Sequence, residues 1–329
     1  SNIFLNAIDV NSPSGSIPES LFATFQMTFA IITPALMIGA FVERIKFSAM
    51  LIFLSMWLLV VYVPVTHWVW GGGILSSWGT MDFAGGIVVH ATAGTAALVT
   101  ALTLGKRRGF PKSITPPHSP ILTMIGASML WIGWFGFNAG SALGANGGAG
   151  MAMLVTHISA ATASLVWMFI EWRRFGKPSL IGIVTGMVAG LATVTPASGY
   201  IGVPGGLVLG FFGGLFCYLA VDYIRGKLQI DDSLDVFAVH GVGGILGTLL
   251  VAFLATSTFS GLGLAEGQTA VSQFFVQLKA VVLTVVWTSV FTYLILKITS
   301  FIVPLRVDEQ EEIEGLDLRS HGEKGYHSD

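Results

Sequence analysis

Nine apolar stretches of roughly membrane-spanning length, with charge held to the segments between them, limit this chain to a fold that crosses a bilayer repeatedly. They cover about 21–42, 47–70, 83–105, 120–141, 149–171, 180–196, 203–223, 236–256 and 276–303. With 53% hydrophobic residues, 10% charged residues, 41 Gly and a mean hydropathy of +0.77, the composition reads as an all-α polytopic membrane protein. A net charge of -2 leaves no basic footprint for nucleic acid. The single cysteine, Cys217, excludes an internal disulfide and a multi-cysteine metal cluster. Ser1–Ser20 has neither the charged start nor the apolar core of a signal peptide, so the start reads as processed or truncated.

The loops alternate in charge. Glu43-Arg44-Ile45-Lys46, Lys106-Arg107-Arg108 with Lys112, Arg173-Arg174 with Lys177, and Arg225 with Lys227 fall on one side, while loops 71–82, 142–148, 197–202 and 257–275 have no Lys or Arg. This asymmetry predicts a multi-pass protein of the plasma or inner membrane with 1–20 outside, 21–303 as the membrane domain and 304–329 in the cytoplasm. The tail carries the acidic run Asp308-Glu309-Gln310-Glu311-Glu312, for which a solvated segment is the plainer reading.

Two spans hold an imidazole: Val89-His90-x-x-x-Gly94 aligns with Val239-His240-x-x-x-Gly244, each with an acidic residue upstream, Asp82 and Asp235. An ionisable group inside a bilayer is costly, so a pair on similar local sequence points to one polar site. The two helices run in opposite directions, the mark of an inverted repeat with its site between the halves near the midplane. Three spans end with the His90 helix and five, from Pro120, end with the His240 helix; equal halves predict two further helices upstream.

Asp82 and Asp235 are expected to cap their helices, which carries each imidazole roughly 8–12 Å inward at 1.5 Å per residue, so the rings can meet. Adjacent neutral imidazoles can share a proton, whereas two imidazolium rings would repel in low dielectric. Trp70 closes the second span at the outer side, where its indole face can hold a compact cation, worth about 1 kcal/mol exposed and about 2 kcal/mol desolvated. Phe25 and Phe29 stand one helical turn apart, and Phe137 lies in Gly133-Trp-Phe-Gly-Phe-Asn138 with Ser141 at the outer end of its helix. His67, His118, His157, His321 and His327 have no repeat partner and read as interfacial, packing or solvated.

Taken together, Asp82-Phe-Ala-Gly-Gly-Ile-Val-Val-His90, Gly133-Trp-Phe-Gly-Phe-Asn-Ala-Gly-Ser141, Thr195-Pro-Ala-Ser-Gly-Tyr-Ile-Gly202, Asp235-Val-Phe-Ala-Val-His-Gly241 and Gly315-Leu-Asp-Leu-Arg-Ser-His-Gly322 closely resemble the ammonium transporter family, which includes the Rhesus proteins. The stretches run in family order along nearly the whole chain. The resemblance implies a non-enzymatic transporter without cofactor, an inverted-repeat fold of eleven spans against about nine here, and homotrimers with one pore per subunit. It implies ammonium recruitment at Trp70, Phe29 and Ser141, a gate of Phe29 and Phe137, and His90 and His240 as twin pore histidines. Asp82 would support the recruitment region, and Thr195 would be a hydroxyl near the outer vestibule. It further implies ammonium or ammonia as substrate, methylammonium as an analogue, and a PII-type nitrogen signalling protein at the cytoplasmic face. Trp70 and the tail favour the ammonium transporter branch over the Rhesus branch.

Potassium matches ammonium in size, so chemistry must separate them: only ammonium escapes the cost of dehydration by giving up a proton, here expected near Phe29 and Asp82. Two other readings stand beside conduction. A sensor of the same fold binds ammonium without passing it, and a membrane cytochrome ligates haem iron between two histidines. No Arg or Lys lies near either histidine to meet haem propionates.

Overall fold

In the computed structural model, which describes residues 3–326, the apolar stretches are helices: α1 Glu19–Ile38, α2 Phe47–Ser77, α3 Gly86–Leu104, α4 Pro120–Gly140, α5 Gly147–Phe175, α6 Leu180–Val194, α7 Val203–Lys227, α8 Phe237–Leu254 and α9 Ala270–Ile302. All but α6 are long and apolar enough to cross a membrane. At 15 residues, α6 is about 22 Å long against a hydrocarbon core of about 30 Å. Pro196 ends it short of the expected 180–196 span, because proline has no N–H to continue the helical hydrogen bonds. Side-chain caps fix four of the starts: Ser119, Asn146, Ser179 and Thr269 each accept a backbone N–H from the first turn they precede. His327 lies outside the described residues.

The inner pair is α3 and α8. In their most apolar windows 78% and 61% of residues are buried, against 39% or less in the other spanning helices. The outer faces of the rest are apolar and exposed, as at Ile121, Met129, Ile132 and Phe301, which suits contact with lipid. The repeated His-x-x-x-Gly spacing explains how the inner helices cross so closely. A Cβ on Gly94 would lie 2.3 Å from the Gly241 backbone, and one on Gly244 would lie 2.5 Å from the His90 Cβ. Each glycine therefore meets the partner helix at its histidine. Both histidines lie in wider-wound π turns, Gly86–Ala91 and Phe237–Gly241, a local winding that recurs at functional sites.

Asp82 accepts the backbone N–H groups of Gly85, Gly86, Ile87 and Val88 at 2.6–3.1 Å, meeting the free donors at the start of α3. The equivalent on α8 is not Asp235, as the sequence suggested, but Asp232, whose Oδ2 accepts from Phe237 N at 2.7 Å. Asp235 has a left-handed backbone (φ 56°), and its carboxylate binds Arg225 through both oxygens, at 3.0 and 2.9 Å. Burial pushes the Asp232 carboxyl up to about 6, opposed by the Phe237 and Val236 N–H groups, and the Asp235 carboxyl up to about 7, opposed by Arg225.

The basic loops gather at one end of the bundle. Arg44 is fully buried and donates to Ser233 Oγ at 2.9 Å and the Asp231 carbonyl at 2.6 Å. Arg107 reaches Asp231 at 3.1 Å and also pairs with Glu43. The segment after α9 is pinned here rather than solvated throughout. Arg306 binds Glu312 at 2.7 Å and the Leu104 carbonyl at 3.0 Å, and Lys46 N donates to the Leu305 carbonyl. A short helix, α10 Glu309–Glu314, follows, capped by Asp308, and His321 packs edge-on against Phe47 at 4.8 Å. At the opposite end Ser16 Oγ donates to the Leu143 carbonyl, tying the N-terminal segment to the loop after α4.

Gly94→Val should destabilise the protein by about 1–3 kcal/mol through overpacking at the helix crossing, seen as a lower Tm; an unchanged Tm would contradict the contact. Among the carboxylates, Asp82→Ala should cost most, at least about 3 kcal/mol, because four N–H groups lose their acceptor. Asp232→Ala should cost about 0.5–2 kcal/mol as a lost cap, and Asp235→Ala about 1 kcal/mol or less as a partly exposed pair. A Tm ranking with Asp235→Ala lowest would refute the assignment of the caps.

Candidate functional site

The crossing of α3 and α8 brings His90 Nδ1 and His240 Nδ1 to 3.2 Å, with ring centroids 5.2 Å apart and planes 20° from parallel. Both rings are buried, and His90 Nε2 has no hydrogen-bond partner. In a neutral pair, one Nδ1–H donates to the other Nδ1. One Nε2 is then left as a donor and the other as an acceptor, so the pair can serve a small solute that both gives and takes hydrogen bonds.

Aromatic rings continue the column from α4. Trp134 stacks on His90 at 5.3 Å, and Phe137 lies 5.9 Å from His90 and 4.5 Å from Phe29. Phe29 in turn meets Trp70 edge-on at 5.5 Å and Phe25 at 5.0 Å. Trp70 Nε1 donates to the Asp82 carbonyl at 2.8 Å, which fixes the indole against the segment that starts α3. Five of the residues singled out in sequence thus form one connected cluster: His90, His240, Phe137, Phe29 and Trp70. Phe25 and Asp82 flank it.

Other residues sit differently from expectation. Thr195, expected near the outer vestibule, is fully buried; its hydroxyl accepts from Trp134 Nε1 at 2.9 Å and donates to the Leu191 carbonyl. Ser141 donates to the Phe137 carbonyl of its own helix at 2.9 Å, which leaves its hydroxyl oxygen able to accept a hydrogen bond. Asp235 lies at the basic end as expected, but it binds Arg225 rather than capping α8. Asp82 spends both oxygens on backbone N–H groups, which suits holding the α3 start and supplying negative potential behind Trp70 rather than taking a proton.

Four residues escaped the sequence reading. Trp134 was visible only as part of an aromatic run. Asp232 lies eight positions before His240, the spacing of Asp82 from His90, and that equality was the available signal. Gln277 is fully buried in α9; its amide oxygen accepts from Met81 N at 2.8 Å and its amide nitrogen donates to the Met81 and Thr248 carbonyls. Gln273, one turn earlier, donates to the Gly79 carbonyl. Two glutamines one turn apart in an apolar span were the clue that this helix holds the chain leading into Asp82.

A cavity of about 650 Å³ reaches both histidines, bounded by Phe25, Thr28 and Ile32 on α1 and by Gly133, Trp134 and Phe137 on α4. A Cβ on Gly126, Gly133 or Gly136 would meet nothing within 4 Å, so among the described residues the wall between α1 and α4 is open. Haem fits the histidines poorly. Metal–imidazole bonds of about 2 Å need nitrogens about 4 Å apart across the metal, whereas these are in direct contact at 3.2 Å.

A family model described as "Ammonium Transporter Family" matches residues 1–326. A putative ammonium transporter of Methanothermobacter thermautotrophicus is 49% identical over 316 residues, covering 94% of this chain and 76% of the relative. The ammonium transporter Amt1 of Archaeoglobus fulgidus is 48% identical over 311 residues, covering 94% and 78%. Among solved structures, Saccharomyces cerevisiae Mep2 superposes with a TM-score of 0.81 at 36% identity, over 90% of this chain and 68% of that one. A protein described as a sensor Amt protein gives 0.85 at 30% identity, over 91% and 76%. The relatives are named as transporters, and the match runs through every spanning helix described above. On both sequence and fold, therefore, this multi-pass membrane protein belongs to the ammonium transporter family.

Proposed function

We propose that the chain recruits ammonium at Trp70, Phe29 and Ser141 and conducts ammonia past Phe29 and Phe137 along His90 and His240. The observation that carries the reading is the 3.2 Å contact between two buried imidazoles at the foot of an aromatic column. The indole of Trp70 offers a π face to a compact cation. Below it, the Phe29–Phe137 pair presents only carbon to an entering ion, so hydration is lost with little replacement. Ammonium responds by breaking one N–H bond: the electron pair stays on nitrogen, the proton passes to water at the mouth, and neutral ammonia enters. Potassium has no such step, which gives selectivity without a size filter. Past the gate, ammonia donates to one Nε2 and accepts from the other, and it regains a proton from water on the far side.

In the same reading the basic loops and residues 304–329 are cytoplasmic and residues 1–20 external, following the excess of Lys and Arg on one side. The Arg306–Glu312 ion pair at that face, with the Arg108 backbone N–H donating to Glu312, supports a tail that presents a fixed surface to a PII-type partner. The family resemblance supports assembly as a homotrimer.

In proteoliposomes, the wild-type chain should take up radiolabelled methylammonium, with ammonium competing and potassium not. His90→Ala with His240→Ala should reduce this to the level of empty vesicles, and wild-type selective flux in the double variant would sink the mechanism. Saturable ammonium binding without flux in the wild type would favour the sensor reading, the description carried by one solved neighbour. Sidedness has its own check. Cys217 is fully buried, so a Ser320→Cys variant should react with membrane-impermeant maleimide only when the cytoplasmic face is exposed; labelling of intact cells would reverse the topology.

A further inference from the structure

Away from the histidines, on the side of the bundle that holds Trp70 and Asp82, one cation stands alone. Lys279 is the only Lys or Arg between Lys227 and Lys297, and the loops on this side have none. Its Nζ sits 3.8 Å from the centroid of the Trp78 indole, and among the described residues no carboxylate lies within 4.0 Å of it. The indole covers one side of the ammonium group, which leaves N–H donors on the other side unclaimed.

The level in the membrane is informative. At 33 residues α9 is about 50 Å long, which exceeds the hydrocarbon core by about 20 Å. Lys279 lies nine residues, or about 14 Å, from the first residue of α9, close to the boundary between headgroups and acyl chains if the helix is centred. From there a groove of about 720 Å³ runs along α9, with Trp78 beside Lys279 and with Val282, Leu283 and Val286 further along the helix. Val282 and Val286 are about half exposed, on a helix face that no other element covers. The order along the helix is therefore a cation at headgroup depth followed, one and two turns further in, by an apolar channel.

We infer that Lys279 and Trp78 form a binding site for an anionic glycerophospholipid, with the phosphate on the Lys279 ammonium group and one acyl chain in the groove along Val282 and Val286. A zwitterionic lipid brings its own cation to the phosphate, so an uncompensated headgroup such as phosphatidylglycerol is favoured. The site adjoins the conduction machinery: Trp78 precedes Gly79, whose carbonyl binds Gln273, and Gln277 holds Met81 next to Asp82. A lipid seated on Lys279 and Trp78 thus bridges α9 and the segment that carries Asp82.

The test uses bromolipid quenching of the Trp78 emission, obtained as the difference between the wild-type chain and Trp78→Phe, in phosphatidylcholine vesicles. A minor share of phosphatidylglycerol brominated on its acyl chains should associate about fivefold more strongly than the same share of brominated phosphatidylcholine. Lys279→Gln should abolish the preference, Lys279→Arg should keep it, and raised salt should weaken it. Equal quenching by both lipids in the wild type would overturn the proposal without recourse to any Lys279 variant, as would a preference that survives Lys279→Gln. Added glycerol phosphate should not compete; if it removed the preference, the site would bind free phosphate and the lipid assignment would fall.

Discussion

The close crossing of α3 and α8 is the constraint on which the rest of the site depends. Because Gly94 lies against the Gly241 backbone and Gly244 against the His90 Cβ, the two backbones approach nearer than any side chain would allow, and only then do the imidazoles meet. An equivalent glycine serves each helix, four residues after its histidine. Packing of this kind, small residues at a helix crossing, is how membrane helices associate when lipid removes the hydrophobic drive between them.

Holding the crossing in depth and register is a matter of electrostatics at the two ends. Asp82 on one side and Asp232 on the other satisfy backbone donors that have no water to bond in an apolar setting. Beyond each lies a brace. Gln273 and Gln277 hold the chain that enters α3, while Arg44, Arg107 and Asp231 fix the loops around α8. The brace at the basic end includes Arg306 and Glu312, so the segment after α9 is part of the same polar structure that anchors the His240 helix. Such buried pairs are costly to form and costlier to break by halves, which favours one arrangement of these loops over alternatives.

Much of the architecture was legible because lipid imposes a simple rule on sequence: long apolar runs become helices, and basic residues collect on one side. Where the rule is local it succeeds, and where a side chain has a choice of partners it does not. Asp235 looked like a cap because it stands next to the helix, yet a left-handed backbone turns it to Arg225 and leaves the task to Asp232. Thr195 carries a hydroxyl that the interior absorbs, bonding to Leu191 and Trp134. The sixth span falls short as a helix because Pro196 interrupts it and neighbouring elements, rather than lipid, surround it.

From the residues alone came the number and order of apolar segments, their inverted pairing, the family resemblance, and the choice of His90, His240, Phe29, Phe137 and Trp70 as residues to watch. These are properties of composition, spacing and charge, which act along the chain. That Nδ1 meets Nδ1, that Trp134 stacks on His90, that Asp82 is consumed by four backbone bonds, and that Lys279 is left with an indole and no carboxylate were decided only in three dimensions. The reason is that hydrogen bonds and ring contacts reach only a few ångströms, so which groups share them depends on how helices distant in sequence pack together.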